Sequence, residues 1–392
     1  MSSDLLITTE HGLYCPAGDF YIDPWRPRPG SRAVITHAHS DHLRAGASEY
    51  LASLPGALLI RARIGSAATI TPQPWGEAHA VTLNDTRVSL HPAGHVLGSA
   101  MVRVEYTGAG SAHPRGETWV VSGDYKLARD GISEAWEPVR CHTFITESTF
   151  GLPVYRWRPQ AELFAEVDAW WRANQAEGLT SIIFAYSLGK AQRVLANIDA
   201  SIGPIFAHGA VMNMNAAYAL AGAALPAVAH AKKEAVRAAA RDGRAALVVA
   251  PPGADDSPWA RALGPANAAV ASGWMMIRGS RRRQNVQRGF AISDHADWPA
   301  LNEAIRLSGA ARIGVTHGFV APMVRWLREG GQGLDAFPVA TRYEGEAGED
   351  SGGKGSPDTD AAAAAVAADD MFAEPKPPSA APSSSSPPTA AP

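Results

Sequence analysis

The stretch "AVITHAHSDHLRAG", residues 33–46, sets His37, His39, Asp41 and His42 within six positions behind a short apolar run. Taking so many polar groups out of water on one turn is costly unless something offsets it. A bound divalent cation would, because it accepts imidazole and carboxylate ligands together. The pattern therefore predicts a strand running into a metal-binding loop.

Working outward, four further apolar runs end in metal-compatible residues: "PAGHVLGSA" at 92–100, "VVSGDYKL" at 120–127, "FAISDHADW" at 290–298 and "GVTHGF" at 314–319. Loops at one edge of a sheet can bring such side chains to one point although they are far apart in sequence. The first 150 residues carry short β-branched runs, such as "AVIT", "RVSLHPA", "MVRVEY", "TWVVSG" and "HTFIT", bounded by Gly, Pro and Asn, which read as strands. From "RPQAELFAEVDAWWRANQAEG" onward, helical spacing alternates with buried-strand runs, among them "SIIFAYS", "PIFAH", "ALVVAPP" and "GWMMI". That alternation predicts a parallel α/β unit. Beyond Glu346 the chain is rich in Pro, Ser and Ala, and 346–392 reads as a disordered tail.

The order His-x-His-x-Asp-His, Gly-His, Gly-Asp resembles the metallo-β-lactamase superfamily. The resemblance implies an αββα sandwich with two metals at one edge of its sheets. His37, His39 and His95 would hold one metal, Asp41 and His42 the second, with Asp124 bridging and His317 completing the set. Imidazole and carboxylate ligands suit zinc, with manganese also open. "TESTFG" at 146–151, "SDHADW" at 293–298 and "THGF" at 316–319 further resemble the β-CASP nucleases, in which an α/β domain is inserted into that sandwich. The implied division is 1–151 for the first part of the sandwich, 152–289 for the insertion and 290–345 for the second part. By the same resemblance His295 acts as general acid, oriented by Glu147, and Asp41 joins them as a catalytic candidate. "GLYCPAGDFYIDPWRP" and "AYSLGKAQR" extend the resemblance over about residues 11–343 to bacterial ligase-associated DNA exonucleases, also described as mRNA 3′-end processing factors. The implied partners are DNA, or RNA, and an ATP-dependent DNA ligase and a helicase. The expected activity is thus phosphodiester hydrolysis by a dinuclear metal-dependent nuclease, with RNA cleavage as the alternative and small-molecule metallo-hydrolysis behind it.

Charge and composition fit that expectation. The tail carries eight acidic and two basic residues, leaving 33 basic and 30 acidic side chains before it, a mildly basic body compatible with a polyanion. "RGSRRRQNVQRGF", with Arg281, Arg282 and Arg283, lies just upstream of His295 and is expected to reach phosphates. Lys190 and Arg193, opening a helix, are expected to do the same. Asp23 is a candidate either to orient a metal-binding histidine or simply to form an Asp-Pro turn. His91 and His208 read as structural, Trp170 and Trp171 as core, and Trp25 and Trp298 as aromatics beside the motif loops. Two cysteines, Cys15 and Cys141, read as buried thiols of a reducing cytoplasm. Neither a signal peptide nor a run of roughly 20 apolar residues is seen, so no membrane association is expected.

Overall fold

The computed structural model describes residues 4–106, 108, 116–277, 288–330 and 333–341. All of them lie in the first of two compact units, Met1–Gly352. The expected tail at 346–392 lies outside the described residues.

The fold is mixed α/β, built on three sheets. Six strands form the first in chain order, Ile7–Thr9, Gly12–Cys15, Phe20–Ile22, Arg32–Val34, Glu49–Ser53 and Ile70–Gln73. Seven form the second, in the order Asp335–Pro338, Arg312–Gly318, Thr143–Ser148, Glu117–Val121, Ala100–Tyr106, Thr86–Pro92 and Val81–Leu83. Both sheets mix parallel and antiparallel pairs. Alternation along each strand decides what it faces. Ile145 packs in a core shared with Phe20, Ile22, Val34 and Leu51 of the first sheet. Its neighbour Phe144 points the other way, into a core with Leu301 and Ile305 of helix Trp298–Ser308 and Met323 and Leu327 of helix Val320–Glu329. The outer face of the first sheet is covered likewise, Ile35 and Tyr50 packing with Leu59 and Ile60 of helix Leu54–Ile64 and with Tyr218 of helix Gly209–Leu220. The layers thus run helix, sheet, sheet, helix.

The third sheet is built wholly from residues between Thr180 and Phe290 and all its strand pairs are parallel. Helices Gln160–Ala176 and Lys190–Asn197 pack on one face through Phe164, Val167, Trp171, Val194 and Leu195. Val236 of helix Lys233–Arg241 packs on the other. Such two-sided burial explains why its strands read as continuous apolar runs. "GWMMI" is not the strand its composition predicted. Ser272 accepts a hydrogen bond from the Trp274 amide and caps a short 3₁₀ turn at Gly273–Met276. The strand lies just before, at Ala266–Ala271, where four alanines masked a buried parallel pairing. Among the described residues, no helix is long and apolar enough to cross a membrane.

Candidate metal centre

Strand Arg32–Val34 delivers the chain into the histidine loop, where a local network shapes it. Asp23 accepts from the Thr36 amide at 2.8 Å and from the Thr36 hydroxyl. Its carboxylate also accepts from His42 Nδ1 at 2.8 Å. The His42 and Leu43 amides both bond the His39 carbonyl, closing a turn that carries His39 and His42 to one side. The loop bearing Asp124 must come close, and Gly123 permits it. With φ +54°, a Cβ there would sit 2.6 Å from Thr36 Cβ, a contact no side chain tolerates.

Among the described residues three groups could each hold a cation: His37, His39, His95 and Asp124; Asp41, His42 and His317; and Asp124, Glu147 and His295. In the first, the outward nitrogens settle which lone pairs point inward. His39 Nε2 lies 3.1 Å from the Leu188 carbonyl and His95 Nδ1 2.9 Å from the Asp294 carbonyl. A carbonyl only accepts, so those nitrogens carry the protons. His39 Nδ1 and His95 Nε2 are left as acceptors, 3.1 Å apart, and His37 Nε2 lies 3.1 Å from His39 Nδ1. Asp124 Oδ2 stands 3.4 Å from His37 Nε2 and 3.6 Å from His95 Nε2. Four ligands at zinc–nitrogen distances of 2.0–2.1 Å mark a tetrahedron with edges of about 3.3 Å, so the donor set fits a divalent ion. Burial pushes His37 well down, with His42 adding to it, and burial beside His295 pushes His95 down to about 3. These imidazoles are therefore neutral, as metal ligands must be.

The second group lies beside Asp124. His42 Nε2 is buried with no hydrogen-bond partner, 3.5 Å from Asp124 Oδ1 and 3.7 Å from Asp41 Oδ2. A buried nitrogen without a hydrogen-bond partner, facing two carboxylates, is compatible with a cation between them. Although burial opposes charge on His42, Asp124 and Asp41 lift its pKa well above the imidazole range. The His317 ring stacks on His42 at 5.0 Å. His317 has φ +52°, an uncommon conformation outside glycine that is enriched for histidine. Ser148 fixes it, donating to the His317 carbonyl and accepting from the Phe319 amide at 2.9 Å.

Beside these sets lies a charged pair. His295 Nδ1 is 2.9 Å from Glu147 Oε2 and 3.1 Å from Oε1. Glu147 is 1% exposed and its Oε1 also accepts from the Tyr125 amide at 2.9 Å. Burial alone would lower the His295 pKa. Glu147 and then Asp124 outweigh it and carry it up to about 9, so the ring is protonated at neutral pH, with Nδ1 on Glu147 and Nε2 carrying the second proton. Trp157 Nε1 donates to the His295 carbonyl at 2.9 Å and the Phe150 ring packs 5.9 Å from the imidazole. The His295 and His95 ring centroids are 4.6 Å apart.

Other expectations fare differently. Lys190 and Arg193 do not open to phosphate. Both are 5% exposed. Lys190 Nζ pairs with Asp294 Oδ1 at 3.1 Å, and the Arg193 guanidinium donates to the Ser293 carbonyl and to Gln160. Their helix begins against other protein, which sequence spacing does not reveal. Arg281, Arg282 and Arg283 lie outside the described residues. Trp298 is buried in the core, while the Trp25 indole donates to the Glu10 carbonyl. Cys15 is buried as expected, whereas Cys141 is only partly buried. His91 shares a strand with Ser89, whose Oγ is 3.1 Å away, and His208 caps helix Gly209–Leu220. Sequence reasoning missed Leu188, Asp294, Tyr125 and Trp157. The first two act through backbone carbonyls, which no residue type announces. Tyr125 and Trp157 stand next to or near motif residues, and adjacency was the one signal available.

No family model matches the chain. It is 30% identical over 338 residues to a "Probable DNA ligase" of Opitutus terrae, an alignment covering 86% of this chain and 31% of that protein. It is also 31% identical over 121 residues to "Endoribonuclease ysh-1" of Neurospora crassa, covering 30% of this chain and 13% of that protein. The chain thus spans under a third of the length of either relative. Among solved structures, a protein of unknown function from Enterococcus faecalis V583 shares the fold. It aligns with a TM-score of 0.50 at 10% identity over 79% of each chain.

Proposed function

We propose that this chain is a two-metal phosphodiesterase, a nuclease built on a metallo-β-lactamase sandwich (1–151 and 290–345) with an inserted β-CASP-type α/β domain (152–289). One observation carries the reading: two metal-compatible ligand groups adjoin at Asp124, which belongs to the first and stands 3.5 Å from His42 of the second, with the protonated His295–Glu147 pair beside them. The helix–sheet–sheet–helix layering and the separate parallel sheet support the architecture. The printed names of the two relatives support a nucleic-acid substrate.

His37, His39, His95 and Asp124 would hold one divalent ion, and Asp41, His42, His317 and the shared Asp124 the other, with zinc favoured by the donors and manganese compatible. When bound, such a pair supplies an activated water and neutralises charge on phosphoryl oxygens. The chain's own groups do the rest. Asp23 fixes the His42 tautomer, as the Leu188 and Asp294 carbonyls fix those of His39 and His95. Asp41, with a side chain 41% exposed against 6% for Asp124, is the carboxylate open to incoming water. His295 presents the proton on Nε2 to the departing oxygen, and Glu147 keeps it protonated until then.

DNA is the substrate we favour, with exonucleolytic trimming alongside an ATP-dependent DNA ligase and a helicase, because the relative aligned over most of this chain is named as a ligase. The partial alignment with an endoribonuclease favours RNA as the second reading. End-labelled single-stranded DNA and RNA of matched sequence, incubated with zinc- or manganese-loaded protein, separate the two. Stepwise shortening of DNA that is lost in His295→Ala supports the first. Preferential RNA cleavage supports the second, and cleavage of neither contradicts the nuclease reading.

A further inference from the structure

Two of the first donor set's imidazoles are held not by their own loops but by the carbonyls of Leu188 and Asp294. These residues belong to separate segments that meet at one buried ion pair. Lys190, two residues after Leu188, reaches Asp294 at 3.1 Å with side chains 6% and 2% exposed. Between Leu188 and Lys190, Gly189 takes φ +87° and lies so close to Val96, the residue after His95, that a Cβ would sit 2.2 Å from Val96 Cγ1. Arg193, one turn on, donates to the Ser293 carbonyl. The start of helix Lys190–Asn197 is thus pressed onto the His95 loop and tied to the 293–295 turn. Two charges so far from water are costly, and the site spends that cost where it steadies metal-binding histidines.

We propose that Lys190 and Asp294 are positioning residues of the metal centre. Their ion pair latches the 188–193 segment and the 293–295 turn together over His39 and His95, so that the first donor set is complete only when the 152–289 region is seated. The inference rests on the metal-centre reading given above. It assigns the two buried charges a function that contact with phosphate does not.

The test needs no substrate. Zinc affinity is measured by chelator competition, and the visible cobalt(II) spectrum recorded, for the full chain and for Lys190→Met. Loss of an outer partner of a metal-bound histidine typically weakens binding about 10–100-fold. The latch predicts a loss of that order for one of the two ions, with a changed cobalt spectrum and recovery in Lys190→Arg. Should Lys190→Met not fold, Lys190→Gln, which keeps a hydrogen-bond donor without the charge, is expected to show the same loss. Trp171→Phe is the control for general destabilisation, since Trp171 lies in the core of the third sheet. Unchanged zinc affinity and spectrum in a folded Lys190→Met, or an equal loss in Trp171→Phe, overturns the latch alone. A wild-type chain that binds no divalent ion overturns the metal-centre reading and the latch with it.

Discussion

The loop at 37–42 and the helix start at 190–193 look alike in sequence, each a cluster of polar side chains behind an apolar run. Their structures differ in where the free electron pairs point. In the loop, each outward nitrogen of His39 and His42 is already bonded, to Leu188 and to Asp23, so the inward nitrogens are turned toward one another and toward Asp124. At the helix start every charge closes on a neighbour, Lys190 on Asp294 and Arg193 on Ser293. Crowding therefore does not define a site. Unshared lone pairs that converge on one point do, and crowding with internal partners defines a strut.

The sharpest way to break this contrast is to remove Asp124, which belongs to the first donor set and stands 3.5 Å from His42 of the second. Asp124→Ala is expected to lower phosphodiesterase activity on the order of 10³-fold or more, since metal charge stabilisation is worth several kcal/mol. Retained turnover in a variant of verified metal content would sink the assignment. His295→Ala should cost about 10²–10⁴-fold on a natural phosphodiester and far less on a p-nitrophenyl ester, whose leaving group needs no proton. Equal losses on both substrates would remove His295 as the acid.

The Glu147–His295 pair gives a pH prediction. Because the folded pKa of His295 is raised to about 9 from an ordinary 6.5, the pair's contribution to stability is full below about 6.5 and is lost as pH rises through about 9. In Glu147→Gln the largest part of the lift is gone and only Asp124 and Asp294 still oppose burial, so the alkaline limb of kcat should move to lower pH. A limb that stays in place would show that another group sets it. On the strut side of the contrast, Lys190→Met leaves Asp294 buried and unpaired, and should cost about 3–5 kcal/mol in urea unfolding. Arg158, whose partners Glu162 and Glu166 are exposed with it, is the smallest case. Arg158→Ala is expected to leave the unfolding midpoint unchanged.

How far these regions could be read beforehand follows from the same contrast. His37, His39, Asp41, His42, His95, Asp124, Glu147, His295 and His317 were legible because their side-chain chemistry sits at recurring strand-to-loop boundaries, and the structure brings them together. The parallel sheet was legible from its unbroken apolar runs, except at Ala266–Ala271, where small residues carry no strand signal. The burial of Lys190 and Arg193 was not legible, because a cation's partner across 100 residues leaves no mark on local spacing. Nor were the Leu188 and Asp294 carbonyls, since every residue has one.

The most direct test of the central claim is the number of divalent ions bound per folded chain, measured by elemental analysis after zinc loading and removal of free metal. The account predicts two ions in the wild-type protein and the loss of at least one in Asp124→Ala. A folded wild-type chain that retains none would contradict it.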